Sequence, residues 1–263
     1  MKFLFLKKEN LIVPEEFAKI IDHFALELID LKELANFSKL SREEFYGILV
    51  LGGDGTFLRA VPFAYQLDLP IVGVNMGKFG FLTEITLSEL PNLLELWQKG
   101  RVSFEERTLL EVQYQEKNYV VLNEAALLKG PLGKIITLKV KIMGEDFIHI
   151  YGDGLIVSTP TGSTAYNLSA GGPVVHPKVK AFILTPICSF KINHKPFLIP
   201  EDYKVEIEVT DTKEEIHLLL DGQENWLIEP ESTLHFRRAE KFLKLVPSPS
   251  KTYLKILKEK FNW

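Results

Sequence analysis

The sequence predicts an α/β N-terminal domain built on a parallel sheet, a β-rich C-terminal domain of β-sandwich type, and a C-terminal helix that returns to the first domain. Three observations carry that expectation. Before residue 100, apolar runs alternate with helical patterns, the mark of a parallel sheet covered on both faces. Beyond Gly100 the apolar residues fall on every second position, as half-buried antiparallel strands require. Residues 251–261 then revert to a helical period.

Lys2 to Leu6 reads as a strand and Glu15 to Ile29 as a helical pattern. The apolar run Tyr46 to Leu51 ends in glycines, and a second, Pro70 to Asn75, ends in a turn. Thr56 to Gln66 and Ser88 to Lys99 read as helices between and after them. This alternation describes a Rossmann-like sheet. The period-two segments are Leu138 to Ile142, Lys204 to Val209 and Glu215 to Leu218, and the closing helix places Tyr253, Leu254, Leu257 and Phe261 on one face. The expected division is an α/β domain over 1–100, with 246–263 packing back on it, and a β-rich domain over 101–245. With no internal repeat or low-complexity linker, the domains are expected to share a substantial interface, with the substrate in the crevice between them.

Composition narrows the function. The chain has 263 residues, 46% hydrophobic and 25% charged, with a net charge of −4, so no global basic field draws it to nucleic acid or anionic membrane. The basic stretch 237–263 reads as a solvated helix face. Cys188 is the only cysteine, which excludes an intrachain disulfide and fits a reducing cytoplasm. The apolar opening, Phe3 to Leu6, meets Lys7 and Lys8 too soon for a signal-peptide core. No run approaches the roughly 18 apolar residues of a membrane span, so a soluble, cytoplasmic protein is expected.

The sharpest motif is Gly52-Gly53-Asp54-Gly55-Thr56, where a strand gives way to a helix expected to start near Phe57. By chance it should arise in a chain this long with a probability on the order of 10⁻⁴ to 10⁻³. The glycines let the backbone turn tightly, adopt φ > 0 and aim amides at phosphate oxygens, while Thr56 can cap the helix. The Lys-Ser/Thr pair of a Walker loop is missing. Asp54 is therefore the reactive group, a carboxylate able to take a proton from a hydroxyl attacking phosphorus. Arg59, placed in the first helical turn where the macrodipole disfavours a cation, suggests an anionic phosphate nearby.

A second glycine-interrupted turn, Asn75 to Leu82, lies on the same sheet edge, with Lys78 as a phosphate contact and Phe81 as either core or rim. Asn123-Glu124 is expected at a strand end, where a carboxylate holds vicinal ribose hydroxyls and an amide reads a base edge. Then follow Gly152-Asp153-Gly154, Ser158 to Tyr166 and Ser169 to Pro173, a run too rich in hydroxyls to form much core, with Tyr166 able to cover a base or nicotinamide. Asp221-Gly222-Gln223 reads as a hairpin turn from which Gln223 can still reach the crevice. No His/Cys cluster has metal-ligand spacing, and no Gly-x-Ser-x-Gly turn supports a hydrolase.

Taken in order, Gly-Gly-Asp-Gly-Thr, Asn-x-Gly-x-x-Gly-Phe-Leu, Asn-Glu, Asp-Gly with Thr-Pro-Thr-Gly-Ser-Thr-Ala-Tyr, and Asp-Gly-Gln resemble the NAD kinase family over roughly residues 46 to 225. The first motif is shared with diacylglycerol and sphingosine kinases and has relatives among phosphofructokinases; the segment from Thr161 to Tyr166 looks specific to NAD kinases. The resemblance implies an α/β plus β-sandwich homodimer or homotetramer that uses ATP, or inorganic polyphosphate in some members, with a divalent metal such as Mg²⁺. It implies Asp54 as general base on the adenosine ribose 2′-hydroxyl of NAD, with Gly53, Gly55, Thr56, Arg59 and Phe81 around the nucleotide. It also implies that Asn123 and Glu124 hold the adenosine half and that Asp153, with Lys134 and Tyr151 nearby, serves the nicotinamide half, in relatives across a subunit boundary. Thr161, Thr164, Ala165, Tyr166, Asn167, Leu168 and Ser169 would wrap NAD, with Cys188 and Gln223 on the wall.

Two departures stand out against many bacterial relatives. The chain reads Cys188-Ser189-Phe190-Lys191 where they carry Pro-His-x-Leu, and Tyr151 where some place arginine. Both bear on NAD against NADH preference or on effector response. A lipid kinase of the diacylglycerol type and a catalytically silent NAD sensor are the alternatives, the first predicting membrane recruitment and the second having no need of Asp54.

Overall fold

The computed structural model describes residues 1–33, 40–77, 80–131, 134–210 and 214–263. They form two compact units, Met1–Glu106 with Leu243–Trp263 and Arg107–Phe242. The first opens with β1 (Lys2–Lys7), α1 (Glu15–His23), β2 (Glu27–Asp30), β3 (Gly47–Gly52), α2 (Asp54–Leu67), β4 (Ile71–Asn75), α3 (Leu90–Gln98) and β5 (Glu105–Arg107), whose first two residues belong to this unit. Its strands β1 to β4 pair in parallel, and side chains alternate between two covered faces. Phe3, Phe5, Leu49, Leu51, Val72 and Val74 join α1 and α3 in one core. On the opposite face, Phe57 of α2 lies so close to Gly73 that a Cβ there would meet its ring at 2.9 Å.

The second unit carries two six-stranded sheets. Its strands are β6 (Leu110–Tyr114), β7 (Lys117–Val121), β8 (Glu124–Lys129), β9 (Ile136–Ile142), β10 (Glu145–Gly152), β11 (Gly154–Ser158), then, after the short helix α4 (Tyr166–Ser169), β12 (Ala181–Ile187), β13 (Phe197–Pro200), β14 (Val205–Val209), β15 (Ile216–Leu220), β16 (Glu224–Ile228) and β17 (Thr233–Arg238). The sheet orders are β10-β9-β14-β17-β6-β7 and β13-β12-β11-β8-β15-β16. Inward-facing residues of both sheets, among them Val112, Leu138, Val140, Val157, Leu184, Ile207, Leu218 and Phe236, share a single core, as a β-sandwich requires.

The chain then returns to the first unit as β18 (Leu243–Leu245), parallel to β4, and α5 (Tyr253–Phe261). The first sheet therefore reads β2-β1-β3-β4-β18-β5. Among the described residues no helix is long and apolar enough to cross a membrane.

Four expectations are corrected. The helical pattern from Glu15 to Ile29 stops at His23; Ala25 turns with φ +46°, and Glu27 to Asp30 pair with β1, so strand pairing overrides a 3.6-residue pattern. The helix after the glycine motif begins at Asp54 with Gly53 as its N-cap, so Thr56 is a buried first-turn residue and not the cap. In α5 the buried residues are Ile256 and Leu257, whereas Leu254 is 66% exposed. The hydroxyl-rich run is interior: Ser158, Thr159, Ser163 and Asn167 are fully buried, because their polar groups bond to one another and to nearby carbonyls.

At the end of α2, Asp68 adopts φ +51° and its carboxylate pairs with Arg42 and with Lys244 Nζ at 3.1 Å, joining three segments of the first unit. Asp68→Ala is expected to destabilise the protein by about 1–2 kcal/mol, through left-handed strain and loss of the pairs. Asp68→Gly should recover the backbone part; urea titration of both variants reads the difference.

Candidate functional site

None of Gly52, Gly53 and Gly55 takes positive φ, and only Gly52 is required for close packing. A Cβ at Gly52 would collide with Thr56 Oγ1 at 2.7 Å, while Gly53 and Gly55 face open space. Asp54 and Gly55 open α2, where backbone N–H groups have no intrahelical acceptor and the dipole favours negative charge. Arg59 departs from expectation: with the helix starting at Asp54 it sits in the second turn, and its NH1 pairs with Glu9 Oε1 at 3.2 Å. The macrodipole argument for a phosphate beside it therefore fails.

The Asp54 carboxylate faces the turn after β4. Its Oδ1 accepts from Leu82 N at 3.0 Å, Thr83 N at 3.1 Å and Thr83 Oγ1 at 3.2 Å, whereas Oδ2 accepts from Phe81 N at 2.8 Å. One oxygen is thus saturated and the other retains acceptor capacity. Gly80 is required because a Cβ there would overlap Asp54 Oδ1. Asn75 steadies the turn from behind, donating to Thr83 Oγ1 at 3.1 Å and accepting from Gly77 N at 2.8 Å. The ring of Phe81 packs on Phe261 at 5.8 Å. Lys78 lies outside the described residues.

In the second unit Asn123 lies in the short link after the end of β7 and Glu124 is the first residue of β8, so the pair sits where one strand ends and the next begins. Asp221, buried in the turn between β15 and β16, accepts from Leu122 N at 2.8 Å, Asn123 N at 2.7 Å and Glu124 N at 3.1 Å. Burial pushes its carboxyl up to about 6 despite those donors. Glu124 beside it is pushed up to about 8, first by burial and then by the charge of Asp221, so it is largely protonated at neutral pH and can donate as well as accept. Glu124 Oε2 and Thr161 Oγ1 are buried with no hydrogen-bond partner among the described residues. Buried polar atoms of this kind are costly unless a ligand or water completes them.

The Thr159 to Tyr166 segment is laid against Asn123. Thr159 N donates to Asn123 O at 2.8 Å, Thr159 Oγ1 donates to Leu122 O at 2.5 Å, and a Cβ at Gly162 would overlap the Asn123 backbone. Tyr166 projects from this segment, 37% exposed. Its phenol is pushed above its ordinary range by burial and by the neighbouring Cys188, Asp153 and Glu124, which brings four of the anticipated residues into one neighbourhood. Asp153 also pairs with Lys129 at 2.9 Å. Tyr151 lies beneath Lys191 Nζ at 4.9 Å, and exposed Cys188 takes φ +44°.

Other anticipated residues stand apart. Asn167 commits its amide within the protein, donating to Ser163 O and Pro173 O at 3.1 Å each and accepting from Thr185 Oγ1 at 2.6 Å, so it shapes the loop and offers no side chain to a ligand. Gln223 is exposed in the hairpin turn, its N–H donating to Leu220 O at 2.9 Å. Lys134 is exposed, its N–H donating to Glu214 Oε2 at 3.0 Å. Thr164, Ala165 and Leu168 are half-buried beside Tyr166, and Ser169 is exposed. Sequence reasoning missed Thr83 and Asp221; Asp221 stood within a noted motif, whereas nothing in the sequence marks Thr83.

The chain matches known proteins along nearly its whole length. Residues 6–102 match the ATP-NAD kinase N-terminal domain and residues 122–248 the ATP-NAD kinase C-terminal domain. It is 39% identical over 240 residues to the NAD kinase of Aquifex aeolicus, covering 89% of this chain and 87% of that one. It is 34% identical over a 267-residue alignment to the NAD kinase of Wolinella succinogenes, covering 100% and 91%. Among solved structures, yeast NADH kinase complexed with NADH shares the fold, with a TM-score of 0.85 at 20% identity over 100% of this chain and 87% of that one. An NAD kinase from Archaeoglobus fulgidus in complex with ATP gives 0.79 at 25% identity, over 100% and 99%. With both domain models matched and relatives above 30% identity over most of its length, the chain belongs to the NAD kinase family.

Proposed function

We propose that the chain transfers the terminal phosphoryl group of ATP to the 2′-hydroxyl on the adenosine ribose of NAD, giving NADP and ADP, with Asp54 as the general base. The observation that carries the base assignment is the asymmetry of its carboxylate: among the described residues Oδ1 is filled by three donors while Oδ2 has one. In the proposed step the 2′-oxygen bonds to the γ-phosphorus, the bond to the bridging oxygen of ADP breaks, and the hydroxyl proton passes to Oδ2. The amides of Asp54 and Gly55 at the start of α2 face the phosphates, supplying fixed positive ends where charge accumulates.

Asn123, Glu124 and Thr161 hold the adenosine half in this reading, and their support is chemical. The unpartnered Glu124 Oε2 and Thr161 Oγ1 are polar atoms that a bound nucleoside would complete. Tyr166, with Asp153 and Cys188 beside it, serves the nicotinamide half. Thr164, Ala165, Leu168 and Ser169 line the same segment, with Tyr151, Lys134 and Gln223 at the periphery. No group of three or more His, Cys, Asp or Glu side chains could hold a metal ion among the described residues. A divalent ion such as Mg²⁺ would accordingly be held mainly by the ATP phosphates and water, where it neutralises triphosphate charge. The proposed setting is the cytoplasm, as a homodimer or homotetramer.

Replacing Asp54 by Asn keeps shape and removes the proton acceptor, so NADP formation is expected to fall by roughly 10²-fold or more with folding intact. A coupled NADP assay reads this, and turnover like that of wild type would dismiss Asp54 as the base.

Glu124→Gln tests the buried carboxyl. Because the folded-state value near 8 lies above the unfolded one, this group contributes stability at acid pH that is lost as pH rises through about 8. The Gln variant does not titrate, so its stability relative to wild type should grow by a few kcal/mol between about pH 5 and pH 9. Denaturant midpoints across that range check it; a constant difference would show that Glu124 is not buried as a neutral acid.

A further inference from the structure

The three backbone amides that hold Asp54 belong to one short segment, Phe81-Leu82-Thr83, and the returning C-terminal chain grips that segment at both ends. At one end the Phe261 ring packs on Phe81, with centroids 5.8 Å apart and an interplanar angle of 45°. Lys260 Nζ lies 5.6 Å over the same Phe81 ring, and Trp263 backs Phe261 at 5.0 Å. At the other end Glu84, which directly follows Thr83 and is buried, accepts from Ser248 N at 3.2 Å. The helix that carries Phe261 is itself anchored, with Ile256 fully buried and Leu257 nearly so. Toward β4 the segment is tied through Asn75 and through the pairing of Ile85 with Gly73 and Asn75.

We propose that Phe261 is a positioning residue for phosphoryl transfer: through the ring of Phe81 it fixes the amides of residues 81–83, and these aim the Asp54 carboxylate. The physical basis is leverage. Phe81 is half-buried, and α5 supplies both Phe261 and Lys260 against its ring. Among the described residues Phe81 N is the one donor on Asp54 Oδ2, the oxygen that retains acceptor capacity. A shift of the ring draws the Phe81 amide away from Oδ2, and because the carboxylate is planar the whole group then turns about Cβ–Cγ, against the bonds that Leu82 and Thr83 make to Oδ1. Misplacements of about 1 Å at a reacting group cost as much as 10²-fold in rate.

This inference rests on Asp54 acting as the base, and the experiment separates the two. Steady-state NADP formation is measured for wild type, Phe261→Ala, Phe261→Leu, Asp54→Asn and the Phe261→Ala/Asp54→Asn double variant. The expected result is a fall in kcat of about tenfold for Phe261→Ala, with KM for NAD and ATP unchanged, partial recovery in Phe261→Leu, and no further loss from Phe261→Ala once Asp54 is Asn. Should Phe261→Ala prove unfolded, Phe261→Leu carries the same comparison in both backgrounds. An equal fold-loss in the wild-type and Asp54→Asn backgrounds would overturn the inference, as would wild-type kcat in Phe261→Ala alongside a crippled Asp54→Asn. Wild-type turnover in Asp54→Asn would instead remove the base assignment itself.

Discussion

A single carboxylate and the four donors around it organise the first unit. Asp54 leaves the N-terminus of α2 and is met by Phe81, Leu82 and Thr83 from the turn after β4. Meeting them requires Gly80 to lack a side chain, Asn75 to brace Thr83, and β3 and β4 to lie side by side so that both turns emerge at the same end. The parallel sheet thereby turns residues 27 or more positions apart into one polar corner. Carboxyl ends of adjacent parallel strands are where α/β proteins place reactive groups.

The second unit solves a different problem with the same means. It buries polar atoms on purpose: Asp221 is spent on three backbone amides, and Asn167 on two carbonyls and a hydroxyl. These internal networks set the Asn123-Glu124 turn and the 159–166 segment against each other. Within them, Glu124 and Thr161 each keep one atom without a protein partner. A scaffold that satisfies most of its buried polar groups yet leaves Glu124 Oε2 and Thr161 Oγ1 open is better suited to binding a polar ligand than to maximal stability.

Both anticipated domain styles were legible from periodicity, because a half-buried strand and a two-face-covered strand leave different apolar patterns. The pattern failed where a longer-range interaction prevailed. Residues 27–29 continue the helical spacing of α1, yet the open edge of β1 offers backbone hydrogen bonds that spacing alone cannot anticipate. The first-turn position expected of Arg59 failed because the helix begins three residues earlier, which lengthens its distance from the positive end of the dipole. Thr83 was invisible because its value lies in facing Asp54, and the internal bonds of Asn167 were invisible because a buried amide and a binding amide look alike in one dimension.

What the amino-acid sequence determined by itself was the set of reactive and permissive residues: the glycines that clear space around Asp54, the hydroxyl-rich run, and the order of strand types. These are properties of composition and local period, which a chain carries before it folds. Which oxygen of Asp54 is held, which carboxyl is neutral and which amides are consumed internally were decided only by tertiary structure. Hydrogen-bond partners and burial are set by residues distant in the chain, and no local pattern encodes them.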